Sequence, residues 1–227
     1  SSCTVASCGD GFVQADVEAC DDGNDDDFDG CSTSCVMGIC GDGMVQSETE
    51  ECDDGNDDDL DGCTSTCMMD LVVNGSFEEP ALQNHSWSTF NSILGWERSF
   101  GPKIEIQNNV AGSPHHGEQF CELDSHSSTG IYQDLETVAG HTYDFGFYFS
   151  ARPGVHLNSN RMEILWDGEV IGVVEANGSG QSSTQWQLYQ YEVTATSDTT
   201  RIEFRDVGQS DSLGSYLDAV SVSRILD

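Results

Sequence analysis

The chain has 227 residues, with 41 acidic against 7 basic side chains and a formal charge of −34. So acidic a protein excludes nucleic acid, whose phosphates demand Lys and Arg, and attraction to an anionic membrane surface. No apolar run approaches the ~20 residues of a membrane span, and the start at Ser1-Ser2-Cys3, without an apolar leader core, reads as an already processed end.

Residues 1–70 hold 20 of the 41 Asp and Glu and no Lys or Arg. High charge with little apolar content favours disorder, but here the acid is interleaved with cysteines at repeating intervals. A shift of 32 places superimposes Cys8, Cys20, Cys31 and Cys35 on Cys40, Cys52, Cys63 and Cys67, which is a true internal repeat. Cys3 falls in register with Cys35 and Cys67, so the unit reads Cys-x4-Cys-x11-Cys-x10-Cys, giving units 3–31 and 35–63 and leaving Cys67 over. That phase predicts repeat domains 1–34 and 35–69, a sandwich domain 70–227, and a Cys67–Cys121 bond between repeats and sandwich. The competing reading makes Cys121 a buried free thiol in a strand-like run with Leu123. Pairing within each unit stays open, since four cysteines allow three connectivities. Ten cysteines outside CxxC metal pairs, with sequons at Asn74, Asn84 and Asn177, point to an oxidising, extracellular setting. The sequons alone are weak, because such tripeptides are common.

Each repeat gathers six aspartates between two cysteines, and crowded carboxylates need a cation among them. Asp25-x-Asp27-x-Asp29-Gly30 and Asp57-x-Asp59-x-Asp61-Gly62 put oxygens at alternate positions before Gly, the first half of a calcium loop. Val36 and Met68 stand where an EF-hand has its bidentate Glu, so this is not an EF-hand. Asp21, Asp22 and Asn24, or Asp53, Asp54 and Asn56, would complete the shell. An all-oxygen donor set fits Ca2+ rather than zinc or copper. The alternative is a solvated acidic surface.

Cys-Gly-Asp-Gly-x-Val-Gln followed by Cys-Asp-Asp-Gly-Asn and Asp-Gly-Cys-x-x-x-Cys resembles the cysteine-rich repeat abundant in exported proteins of myxobacteria and other aquatic bacteria. The resemblance covers residues 3–67 and implies a surface-exposed spacer rather than a catalyst.

From Leu71 onward, alternating apolar runs with turn punctuation predict an all-β domain. Further strands are expected in 141–150, with Tyr143, Phe145, Phe147 and Phe149 on one face, and in a hairpin over 161–172 turning at Asp167-Gly168. Runs at 186–194, 200–207 and 216–222 complete the set. Steady spacing of short strands predicts a two-sheet sandwich. Leu71-Val-Val-Asn-Gly-Ser-Phe-Glu, Leu94-Gly-Trp96, Gly117-Glu-Gln-Phe-Cys-Glu-Leu-Asp124, Gly130-Ile-Tyr-Gln133 and Leu217-Asp-Ala-Val-Ser221 together resemble galactose-binding-like jelly rolls. These occur in carbohydrate-binding modules and in a plant cell-wall protein family with bacterial relatives. The fold expected is therefore a jelly-roll β-sandwich preceded by two irregular disulfide-rich calcium-binding repeats. By that resemblance, Glu78 of the opening word and Asp218 of the closing word hold a structural calcium, with Glu79 and carbonyls as further ligands.

No Gly-x-Ser-x-Gly or His-Glu-x-x-His is present, so no enzyme is expected. Trp87, Tyr132 and Trp166 are candidate sugar platforms, as are Trp186, Tyr189 and Tyr191, though strand burial competes for each. Arg152 and Asn160 sit in an inter-strand loop suited to recognition. The sequence thus reads as an extracellular, non-enzymatic, calcium-binding structural or adhesive protein at a cell surface or in a fibre. Its partners would be copies of itself in a filament or extracellular polysaccharide. The alternative is a lectin-like carbohydrate-binding module, free or detached from a polysaccharide-acting enzyme.

Overall fold

The computed structural model describes residues 7–27, 31–45 and 50–225. The chain divides into two units, Ser1–Met69 and Asp70–Asp227.

Sulfur holds the first unit together. Among its described residues the buried hydrophobics are Cys31, Cys35, Cys63, Cys67 and Met68, so half-cystines make up most of the core. Cys8–Cys35 and Cys40–Cys67 each span 27 residues, and Cys20–Cys31 and Cys52–Cys63 each span 11. Closing loops of these lengths removes unfolded-state freedom worth about 3 kcal/mol per bridge, which is how a chain this poor in apolar side chains stays folded. The only β pairing among the described residues of this unit is the bridge Cys31 to Met37 and its counterpart Cys63 to Met69.

This pairing corrects the expected phase. Cys67 closes the second repeat on Cys40 as Cys35 closes the first on Cys8, so the four-cysteine units run 8–35 and 40–67. No Cys67–Cys121 bond forms, because Cys67 is already paired and Cys121 is a free thiol, fully buried in the sandwich core. Cys3 lies outside the described residues.

The second unit is a jelly-roll β-sandwich of two antiparallel sheets. The first is ordered β1 (Ser86–Phe90), β3 (Ile104–Asn108), β4 (Phe120–Glu122), β11 (Tyr216–Arg224), β6 (Thr142–Ser150) and β9 (Gln187–Thr194). The second is ordered β2 (Glu97–Phe100), β5 (Gly130–Glu136), β10 (Thr199–Asp206), β7 (Arg161–Trp166) and β8 (Glu169–Glu175). Alternation along β6 sends Tyr143, Phe145, Phe147 and Phe149 inward, all buried. Phe147 meets Phe204 of the opposite sheet edge to face at 5.0 Å. A phenylalanine buried this fully contributes about 2–3 kcal/mol. The β7–β8 hairpin turns at Asp167 and Gly168, both at positive φ (50° and 84°), as a tight two-residue turn requires. Trp96 is completely buried against Phe77 and donates its indole N–H to the Asn74 carbonyl at 3.1 Å.

Candidate functional site

In the repeats, aspartates bond first to the backbone. Asp21 accepts from the amides of Asp10, Gly11 and Gly23 at 3.2, 2.9 and 2.9 Å. Asp53 accepts from Gly41, Asp42, Gly43 and Gly55 at 3.0, 3.1, 2.9 and 2.9 Å. Desolvation works upward on both carboxyls, yet these amides outweigh it and hold them below the usual range. Gly11 and Gly23 stand at φ 80° and 78°, and a Cβ on Gly23 would lie 3.2 Å from the Gly11 Cα, so the two turns pack only as glycine.

The remaining predicted ligands form short turns. Asp22 and Asp54 accept from the amides of Asn24 and Asn56, and those two side chains accept from Asp26 and Asp58 at 2.6 and 2.7 Å. Asp27 and Asp59 accept from Thr33 and Ser65, both at 2.6 Å. Asp25 and Asp57 lie over Gly9 and Gly41, and Asp29 is outside the described residues. Among the described residues, the alternate-position aspartates Asp57, Asp59 and Asp61 do not gather as a three-carboxylate group. One pair does meet: Asp54 is pushed up by sharing a hydrogen bond with Asp61, while Asp61 is held down, first by the Asn56 amide. Glu18 with Asp21, and Glu50 with Asp53, approach the sulfurs of Cys35 and Cys67, with ligand atoms within 4.8 Å. Both sulfurs are in disulfides, which leaves two carboxylates in each group.

In the sandwich, Glu78 and Asp218 do come together at the seam between its opening and closing segments. Asp218 is fully buried and accepts from His115, His116 and Ala219 at 2.7, 3.1 and 2.7 Å. Burial pushes its carboxyl up, and the charge of Glu78 adds to the shift. Glu78 accepts from Glu118 and Gln119 at 2.8 and 2.9 Å. A Cβ on Gly117 would fall 2.3 Å from the Glu78 carboxylate, so glycine opens a cradle there. A carboxylate has about four acceptor sites, so both groups retain lone pairs for a hard cation. Two carboxylates are hard oxygen donors of the kind a calcium site uses.

The most distinctive constellation lies on the outer face of the six-stranded sheet. Cross-strand register puts Glu105 beside Glu122, Glu122 beside Tyr216, and Tyr216 beside Ser150. Their neighbours Ile104, Ile106, Cys121, Leu217 and Phe149 point into the core. Yet this polar row is also buried: Glu122, Ser150 and Tyr216 are 0% exposed and Glu105 is 6% exposed. Arg152 donates to both Glu122 oxygens at 2.6 Å, and the Gly214 amide donates to one at 2.9 Å. The Gln107 amide nitrogen bridges Glu105 and Glu122. Burial pushes Glu122 up to about 8, with Arg152 opposing and Glu105 adding, and burial raises Glu105 as well. The Gln107 side chain bears on the Tyr216 hydroxyl, and neither the Gln107 carbonyl nor that hydroxyl makes a hydrogen bond of ordinary geometry.

Aromatic rings run from this floor to the surface. Phe120 packs on Tyr216 at 4.6 Å and on Trp186 at 5.8 Å; His115 touches Trp186 at 6.4 Å and stacks on Tyr148 at 3.4 Å. Trp87, paired with Gln107 across the sheet, is 52% exposed.

Of the predicted ligand residues, Trp87 and Arg152 thus belong to this face. Tyr132 is on the other sheet, where its hydroxyl donates to Glu97 at 2.8 Å and Arg201 covers its ring at 3.7 Å. It lines a shallow cleft of about 340 Å³ with Val73, Gly95, Gln133 and Asp134. Trp166 and Asn160 are corrections. Trp166 is core, with its indole N–H on the Thr194 carbonyl. Asn160 is fully buried and holds the loop through Arg152 N and the carbonyls of Val155 and His156. Asn74 is a poor sequon too, since its amide nitrogen donates to the carbonyls of Glu79 and Leu94. Asn84 and Asn177 are exposed. Sequence reasoning missed Glu105, Gln107, Glu122 and Tyr216; the available signal was Ile-Glu-Ile-Gln and Phe-Cys-Glu-Leu, acids alternating with residues that must face a core.

Comparison with known proteins gives the following. A family described as a domain of unknown function (DUF4215) matches residues 1–36 and 32–68. The chain is 37% identical over 150 residues to the multifunctional-autoprocessing repeats-in-toxin protein of Vibrio cholerae serotype O1, a match covering 66% of this chain. It spans 3% of the length of that relative. Among solved structures it is similar to a Stig cyclase from Fischerella sp. TAU, at 14% identity and a TM-score of 0.51, covering 70% of this chain and 98% of the cyclase. At that identity the likeness concerns the fold alone. A family 35 carbohydrate-binding module from Clostridium thermocellum matches at 11% identity and a TM-score of 0.40, covering 62% of this chain and 93% of the module.

Proposed function

We propose that the chain is a secreted, non-catalytic adhesive segment: a calcium-binding repeat arm that displays a sandwich binding extracellular polysaccharide on the outer face of its six-stranded sheet. The observation that carries this reading is the exposed Trp87 ring and the part-exposed Arg152 guanidinium, which is held from beneath by the buried row of Glu105, Gln107 and Glu122, with Trp186 packed on Phe120 nearby. Carboxyl, amide and guanidinium groups bordered by an aromatic face are what a sugar ring's hydroxyls and C–H surface require. Four disulfides support an oxidising, secreted setting. For calcium, the support is the all-oxygen chemistry of the repeats, the Asp54–Asp61 contact and the Gly117 cradle at Glu78 and Asp218. Self-assembly is a second reading, favoured by edge strand β8, where Val170 and Val173 are about half exposed.

Oxidised, calcium-replete protein is expected to be retained on insoluble polysaccharide and released by the matching soluble sugar. A folded sample that binds no member of a broad glycan array, yet forms ordered polymers under negative-stain microscopy, would move the function to assembly.

A further inference from the structure

Three more carboxylates meet where the β4–β5 loop approaches the β10–β11 loop, outside the sites considered above. Asp124 is fully buried and Asp206 is 2% exposed. Asp124 Oδ2 accepts from the amides of Asp211 and Ser212 at 2.8 and 3.0 Å, and Asp206 Oδ1 accepts from Gly208 at 3.2 Å. The other two oxygens, Asp124 Oδ1 and Asp206 Oδ2, are buried and accept no hydrogen bond of ordinary geometry, although the Leu213 amide bears on the Asp124 carboxylate and the Ser128 side chain on that of Asp206. Asp211, held by the Ser159 hydroxyl at 2.8 Å, adds its charge to both acids. No ion pair among the described residues involves any of the three: the bridges engage Glu122, Glu175, Asp134 and Glu203 instead. Buried carboxylate oxygens that keep lone pairs free beside further negative charge are stabilised by a cation.

We propose that Asp124, Asp206 and Asp211 form a further binding site for a hard divalent cation, calcium in an extracellular setting, which pins the β4–β5 loop to the β10–β11 loop. The trio is looser than the groups in the repeats whose ligand atoms fall within 4.8 Å of one another. Backbone carbonyls and water would therefore complete the roughly six to eight oxygens that calcium takes. The β10–β11 loop also carries Gly214, whose amide bonds Glu122, so the ion steadies one wall of the proposed glycan face. The cation site itself stands whether or not that face binds glycan.

Equilibrium dialysis with Ca2+ alone, on the full oxidised chain, tests it. Asp206→Asn keeps the shape of the side chain and removes the charge. It is expected to bind one calcium fewer than the parent, to gain less in Tm on adding calcium, and to melt no lower than the parent in chelator. Asp211→Asn, on the exposed part of the loop, guards against a folding failure and is expected to weaken the same site several-fold. Glu78→Gln marks the seam site, and its loss of calcium is expected to add to that of Asp206→Asn. Unchanged calcium stoichiometry and affinity in both Asp206→Asn and Asp211→Asn would overturn the assignment, whatever the glycan measurements show.

Discussion

The two units reach an ordered state by opposite means. The repeats bury little besides sulfur, and their acids cap backbone amides in successive tight turns. The sandwich buries an aromatic core and confines its acids to a few dry positions. The same carboxylate chemistry therefore does different work: Asp53 is a scaffold acceptor for four amides, whereas Glu122 is a desolvated group held by Arg152, Gln107 and the Gly214 amide. Acid density alone does not mark a site; acid that is buried and incompletely partnered does.

Reduction should break the comparison most sharply. Opening four bridges worth about 3 kcal/mol each is expected to unfold the repeats completely, while the sandwich, whose only cysteine is the unpaired Cys121, keeps its protection. Hydrogen exchange with and without reductant reads this directly; equal loss of protection in both units would contradict it. Next in size, Phe147→Ala removes the ring that meets Phe204 across the sheets. It is expected to cost the sandwich about 3–5 kcal/mol and to leave exchange in the repeats unchanged, as denaturant melts followed by site-resolved exchange would show.

A pH dependence is expected as well. Glu122 sits at about 8 in the folded chain against an ordinary 4.5, so the folded state holds its proton more tightly than the unfolded state. Its contribution is present below about pH 4.5 and is lost as pH rises toward 8. Glu122→Gln is expected to flatten that slope in urea melts run across the interval, and an unaltered slope would place the perturbed proton elsewhere.

The sandwich was largely legible because its strands alternate. The residues Tyr143 to Phe149 and the Asp167-Gly168 turn announce their own geometry. The short strands β1 to β4 were harder, since Phe120–Glu122 is only three residues long and acquires its identity from its partners. The repeats were legible as repeats but not in phase: Cys3 mimics the register of Cys35, and spacing cannot show which cysteine opens a loop. Glu78 and Asp218 were singled out through the words around them. Glu105, Glu122, Asp124 and Asp206 were not, because their significance arises only when separate strands and loops bring them together and exclude water.

The outer face of the six-stranded sheet is the proposed ligand surface. Its direct test is calorimetric titration of an array-selected glycan into the parent, Trp87→Ala, Glu122→Gln and, as a control on the opposite sheet, Tyr132→Ala. We expect Trp87→Ala and Glu122→Gln to lose at least about tenfold in affinity, near 1.4 kcal/mol, while Tyr132→Ala binds like the parent. Parent-like binding by both outer-face variants, with binding lost in Tyr132→Ala, would contradict it.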